Sequence, residues 1–427
     1  MASYDVHSPS PAPVPPPAAG TFDYTLEAVR GLAALLVVLG HVLAAGPQLD
    51  MHYRPAGIWR YAPPGHLSVL VFFLLSGYVI GRANAAPITT GSIGRRYLKK
   101  RLVRLYPLYV LALALTAALA ASYHKPISLT VMGGYLGFMQ GFVMAVPSYN
   151  QPIWSLPYEV IYYLLFLPVS ARRWPAGWVA GVCVGLGLLI TQLGVLPPIA
   201  GALAYGGAFW FSGLWLAGRP PREQPLCYGT LLAYLLLLLS YQRLNILYTA
   251  LHTLGLDVNE TKVAFFDRPI VFSDLSCLLI GLPLLAAFTN RRVPGPRWLT
   301  LATLAVPGLY LAGYVATGRI WQPANFNSMC LPALFYLLAV GVYAARQQVA
   351  GCGAWVVGKL TVLGGVSYGV YIIHYPLLFV FHEVAFFRGT AVTFLVRLLL
   401  YFAVVFALAW ALEYRLQPWL KRQLIQS

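Results

Sequence analysis

The apolar positions fall in long unbroken runs, not in the one-sided stripe of an amphipathic helix. Leu32–Val42, Leu108–Ala121 and Leu231–Leu239 are examples. With their flanks they approach the roughly 20 apolar residues that a bilayer-spanning helix needs. The pattern predicts an all-α fold, a polytopic transmembrane helical bundle of about 10–12 spans. Twelve candidate spans are read, at 25–46, 66–84, 105–122, 152–169, 176–195, 201–217, 226–242, 270–289, 298–316, 329–345, 362–383 and 391–413. The stretch 131–146 is apolar but short, which fits a re-entrant or interfacial segment. Around this transmembrane domain, 23–415, the chain divides into a Pro-rich tail at 1–22, expected to be disordered, and a short basic tail at 416–427. The N-terminal tail has no basic region followed by an apolar one, so the first span is expected to be uncleaved.

Composition agrees: 59% of the 427 residues are hydrophobic and 10% charged, against about 25% charged in a soluble domain. The net charge of +17 would suggest nucleic acid in a soluble protein. Here the basic residues sit in short loops between apolar runs, which excludes that reading. Arg95, Arg96, Lys99, Lys100, Arg101 and Arg104 form the densest such loop, and Arg172, Arg173, Arg219, Arg222, Arg291 and Arg292 recur on alternate loops. The opposite loops carry fewer, such as Arg54 or Lys262 and Arg268. The asymmetry predicts a cell-membrane protein with both termini cytoplasmic, and hence an even span count. The five cysteines are scattered without metal-ligand spacing, so neither a disulfide framework nor a metal site is expected.

A charge at the bilayer centre costs at least ~2.5 kcal/mol, so each intramembrane ionisable residue needs a reason. Arg30, His41, Glu159, Asp274, His374 and Arg397 are in this class. His41 follows Arg30 by eleven residues, which at ~100° per residue returns it to nearly the same helix face, ~16 Å along the axis. Its imidazole could serve as a general base, or simply bond a neighbouring helix. Arg101 and Arg104 share a face three residues apart, so they are either ordinary positive-inside charge or a fork for phosphate oxygens. Glu159 has no basic neighbour in sequence and is either an interfacial carboxylate beside Trp154 or a buried one that orients a base or hydroxyl. Ser367, Tyr368, Tyr371 and His374 step along one face as a polar stripe.

Taken together these pieces resemble the acyltransferase-3 group of bacterial integral membrane O-acyltransferases. Arg30-Gly31-Leu32 through Gly40-His41 is similar to the opening arginine–histidine signature. Phe72-Phe73-Leu74-Leu75-Ser76-Gly77-Tyr78 resembles the second-span motif, and Arg101-Leu102-Val103-Arg104-Leu105-Tyr106-Pro107 the arginine element. Trp154-Ser155-Leu156 with Glu159, then Gly365-Val366-Ser367-Tyr368 with Tyr371, His374 and Pro376, complete the set in order. The likeness covers about 25–415 and departs in Pro157 and Tyr158 and in the middle spans. It implies an acyl-coenzyme A donor, most often acetyl, and no metal. It also implies a hydroxyl acceptor on an extracytoplasmic glycan or glycolipid, met at the lipid membrane. His41 and Glu159 become the catalytic candidates, with Arg30, Arg101 and Arg104 for the coenzyme and Ser76, Trp154, Tyr371 and His374 around the substrate. A transporter or flippase using His41, Glu159 and His374, and a non-catalytic sensor on the same scaffold, stay open at this point.

Overall fold

The computed structural model describes residues 24–43, 49–194, 196–241, 246–254 and 270–426. The N-terminal tail and the loop with Lys262 and Arg268 lie outside the described residues. The protein is 77% helical, with no strand among the described residues. In chain order the helices are α1 (Tyr24–Leu43), α2 (Gly65–Ala83), α3 (Gly91–Ser122), α4 (Leu129–Leu136), α5 (Ser155–Ala171), α6 (Ala176–Leu193), α7 (Pro198–Ala217) and α8 (Tyr228–Tyr241). They continue with α9 (Ile246–Thr253), α10 (Leu278–Phe288), α11 (Pro296–Ala316), α12 (Pro323–Ala344), α13 (Ala350–Gly364), α14 (Ser367–His382), α15 (Ala391–Trp410) and α16 (Gln417–Gln426). Among the described residues nine helical stretches are long and apolar enough to cross a membrane, or ten if α13 and α14 form one broken span. The shorter apolar stretches Tyr228–Tyr241 and Phe272–Phe288 account for the other two of the twelve expected spans.

Small residues set how closely the central helices approach, as expected where lipid supplies no hydrophobic drive between helices. A Cβ on Gly77 of α2 would lie 1.8 Å from the Trp210 carbonyl oxygen, and one on Gly213 of α7 1.9 Å from that of Leu74. The α2–α7 crossing is therefore a backbone-to-backbone contact that any side chain would force apart. The same device joins α1 to α13, where a Cβ on Gly31 would lie 2.4 Å from the Leu360 carbonyl oxygen.

Two expectations need correction. The basic loop at 95–104 is helical: it forms the first turns of α3, capped by Thr90, whose hydroxyl accepts from the Ile93 N–H. A run of lysine and arginine has good helix propensity, and the apolar stretch that follows extends it. The span at 362–383 is not straight, because α13 and α14 meet at 68°. The break falls at Gly364-Gly365, where a Cβ on Gly364 would lie 2.2 Å from the Glu27 carbonyl oxygen. Gly364 lets α1 press into the junction, and Gly365 makes room for the Tyr414 ring. At the C-terminal end α15 runs through a π-turn, Ala411–Leu416, into α16. That turn places the buried Glu413 so that its carboxylate accepts the Gly369 N–H at 3.1 Å. This N–H is one of those that the start of α14 leaves without an internal partner.

Candidate active site

Arg30, Arg101, Arg104, Ser76, Glu159 and Tyr371 all line one cavity of ≈310 Å³ between α1, α2, α3, α5 and α14. Five distant motifs thus meet at one place. Val69, Phe72 and Phe73 give it an apolar wall, and Tyr163 and Tyr368 complete its polar side.

The arginines are held by their own helices. Arg30 Nη1 donates to Glu27 Oε1 at 2.8 Å, one turn back on α1. Arg101 lies over the Tyr97 ring, 5.8 Å from its centroid, and its buried Nε has no hydrogen-bond partner. Arg104 sits one turn before Pro107, which can offer no N–H to the helix ladder. The next two carbonyls of that turn accept from side chains of other helices: Arg104 O from Gln417 Nε2 at 2.6 Å and Leu105 O from the Tyr368 hydroxyl at 2.8 Å. Three guanidinium groups face a single carboxylate in the cavity, so the site carries excess positive charge and suits an anion.

That carboxylate, Glu159, is fixed by hydroxyls. Oε1 accepts from Ser76 Oγ at 3.0 Å and from the Tyr163 hydroxyl in a short bond. Trp210 Nε1 donates to Ser76 Oγ at 3.2 Å. Tyr163 and Trp210 are absent from the sequence-based candidates. The i, i+4 spacing of Glu159 and Tyr163 was a usable signal, whereas Trp210 comes from α7 and no local pattern marks it.

His41, His374 and Trp154 lie beyond the cavity wall. His374 is fully buried; its Nδ1 lies 2.8 Å from the Tyr371 carbonyl oxygen. A carbonyl only accepts, so Nδ1 carries the proton and Nε2 is the accepting nitrogen. Nε2 lies 3.3 Å from His41 Nδ1, which is also 2.9 Å from the Val37 carbonyl oxygen. The same reasoning puts the His41 proton on Nδ1 and its basic lone pair on Nε2. His374 thus fixes the tautomer and tilt of His41, as a base requires. Tyr371 stands between the two centres. Its hydroxyl meets Ser155 Oγ at 2.7 Å and the Pro152 carbonyl oxygen at 2.5 Å, while its ring lies 6.2 Å from that of His374. Trp154 is 7% exposed and is packed by Phe73 and Tyr158 edge-on.

An arginine-lined cavity and, beyond it, a pair of histidines in contact lie together inside one helical bundle. The acyltransferase-3 family model, described as an acyltransferase domain, matches residues 23–414. The chain belongs to that family, and it is a multi-pass membrane acyltransferase. It is 24% identical over 360 residues to "Acyltransferase MdmB" of Streptomyces mycarofaciens, covering 74% of this chain and 88% of that protein. It is also 40% identical over 94 residues to "Protein 2 in picA locus" of Rhizobium radiobacter, covering 22% of this chain and 43% of that protein. No solved structure matches the chain. The family assignment displaces the transporter reading.

Proposed function

We propose that the protein moves an acetyl group from acetyl-coenzyme A to a hydroxyl of a cell-envelope glycan or glycolipid. The observation that carries this reading is the convergence of Arg30, Arg101 and Arg104 on one cavity whose far end adjoins the His41–His374 pair. Guanidinium forks match phosphate oxygens, and the unpartnered buried Nε of Arg101 is a donor that a phosphate oxygen would satisfy. A cavity of ≈310 Å³ is at the low end of ligand pockets, about 300–1,000 Å³. It suits the acyl-pantetheine arm, with the nucleotide held at the mouth.

In this reading the arginine end faces the cytoplasm of the inner membrane, as the basic residues that open α3 favour, and both termini lie on that side. The acceptor hydroxyl gives its proton to His41 Nε2 while its oxygen attacks the thioester carbonyl carbon. The carbon–sulfur bond then breaks, and the departing thiolate takes the proton back from the imidazolium. The products are an ester and free coenzyme A. His374 holds the His41 ring through this exchange. Glu159, fixed by Ser76 and Tyr163, aligns the donor arm.

The test is transfer of label from radiolabelled acetyl-coenzyme A to a crude envelope glycan extract by the purified protein in detergent. His41→Ala is expected to insert normally, bind acetyl-coenzyme A and lose transfer by about 10²-fold or more. Full transfer by that variant would overturn the base assignment. A wild-type protein that binds no acetyl-coenzyme A would overturn the donor.

A further inference from the structure

The crossing of α1 and α2 brings a second histidine to the level of His41. A Cβ on Gly40 would lie 3.6 Å from Gly65 Cα, so the two backbones touch there. His41 and His66 each follow the contact glycine by one residue. His66 Nε2 lies 3.0 Å from Asp274 Oδ2, and the Trp154 indole stacks on its ring at 6.2 Å and 19°.

Contacts then close a ring. Trp154 leads into Ser155, which bonds Tyr371; Tyr371 abuts His374; His374 reaches His41. The Gly40–Gly65 contact returns to His66. Val69 and Phe73 of α2, one and two turns from His66, line the cavity. The ring therefore caps the end of the cavity remote from the arginines.

Asp274 brings a carboxylate to this ring through His66. Its Oδ2 is committed twice, to His66 and to the Val271 N–H at 2.9 Å. Its Oδ1 accepts no hydrogen bond from any described residue, and the side chain is 15% exposed. An open carboxylate oxygen whose charge is supported by an imidazole is suited to a hydroxyl donor. Trp154 has one face covered by His66, so it serves to hold that ring in place.

We propose that this ring is the acceptor vestibule and that Asp274, positioned by His66 and Trp154, binds a hydroxyl of a polyhydroxylated acceptor, a sugar residue. The proposal rests on the acyl-transfer reading above and names the side from which the acceptor enters.

The experiment measures transfer against graded concentrations of the envelope glycan extract, with acetyl-coenzyme A binding and its slow hydrolysis to water as donor-side controls. Asp274→Asn is expected to raise the half-saturating extract concentration about tenfold, the loss of one charge-assisted hydrogen bond. Maximal rate, donor affinity and hydrolysis stay near wild type, and Asp274→Glu restores part of the loss. An unchanged half-saturating concentration overturns the proposal. So does a parallel fall in donor binding, which would mark a merely structural residue. Wild-type protein that binds acetyl-coenzyme A yet never saturates with the extract also overturns it. Failure of the wild type to bind the donor at all would instead overturn the acyl-transfer reading on which it rests.

Discussion

Arg397 and Arg101 both place a guanidinium among apolar helices, and their donors are used in opposite ways. Arg397 on α15 is 3% exposed. It donates to the carbonyl oxygens of Leu49 at 2.9 Å, Val384 at 3.0 Å and Phe386 at 3.1 Å, and closely to that of Phe381. It ties the segment after α1 to the α14–α15 loop. Asp50 reinforces this clasp by accepting the Gly389 N–H at 2.9 Å. Arg101, at the other end, keeps a buried Nε with no partner and rests its charge over Tyr97. Hydropathy treats the two residues alike. What separates a structural intramembrane charge from a site residue is whether the fold already satisfies its donors.

The strongest test of the contrast is Arg397→Leu. It would leave the buried Leu49 carbonyl without its donor, at about 1–3 kcal/mol, and would release the loop carbonyls of Val384 and Phe386. We expect a severe loss of folded protein in detergent, read by size-exclusion profile and thermal midpoint, with Arg397→Lys recovering only part because one ammonium cannot span the same fork. A stable Arg397→Leu protein that has lost only its activity would move Arg397 into the site and break the comparison.

The converse prediction concerns the open donors. Arg101→Leu and Arg104→Leu should each weaken acetyl-coenzyme A binding about tenfold, as expected for one charge-assisted contact. Because the fold places no hydrogen bond on the Arg101 Nε, the donor-free thermal midpoint of Arg101→Leu should equal that of wild type. Equilibrium binding and melting on the same preparations check both halves. A lower midpoint with unchanged affinity would make Arg101 a second Arg397.

This contrast also marks how far the sequence could be read. Run length and hydropathy locate the helices well, because each depends on its own residues alone. They carry no angle, so a straight span at 362–383 runs through Gly364-Gly365, where α13 and α14 meet at 68°. Positive-inside counting sorts charge by loop, so it assigns the first turns of α3 to a loop. Within the site, pairs set by helix geometry were accessible: Glu27 with Arg30, and Glu159 with Tyr163, are one turn apart. Pairs made by tertiary packing were not. His66 and Asp274 are 208 residues apart in sequence, and nothing local distinguishes His66 from an interfacial histidine. His41 and His374 each stand out in sequence as ionisable residues inside apolar spans, but their meeting follows only from the packing of α14 on α1.

The smallest effect, and the one that sharpens the contrast most, lies at Gln417. The π-turn at Ala411–Leu416 rotates α16 so that the Gln417 side chain, 1% exposed, reaches the Arg104 carbonyl oxygen at 2.6 Å. Pro107 removes one donor from the ladder of α3, and a freed turn beside a site arginine would otherwise move. Gln417 and Tyr368 together fix that turn from outside the helix. Gln417→Leu keeps the volume and removes the donor, so about 1 kcal/mol of local order is at stake. We expect acetyl-coenzyme A affinity to fall two- to threefold, about half of that free energy by the usual conversion, with little change in maximal rate. Removal of α16 by a stop at Gln417 should have at least as large an effect. If neither change alters donor affinity, α16 is the inert basic tail that its charges suggest, and the cavity's arginines are positioned by α1 and α3 alone.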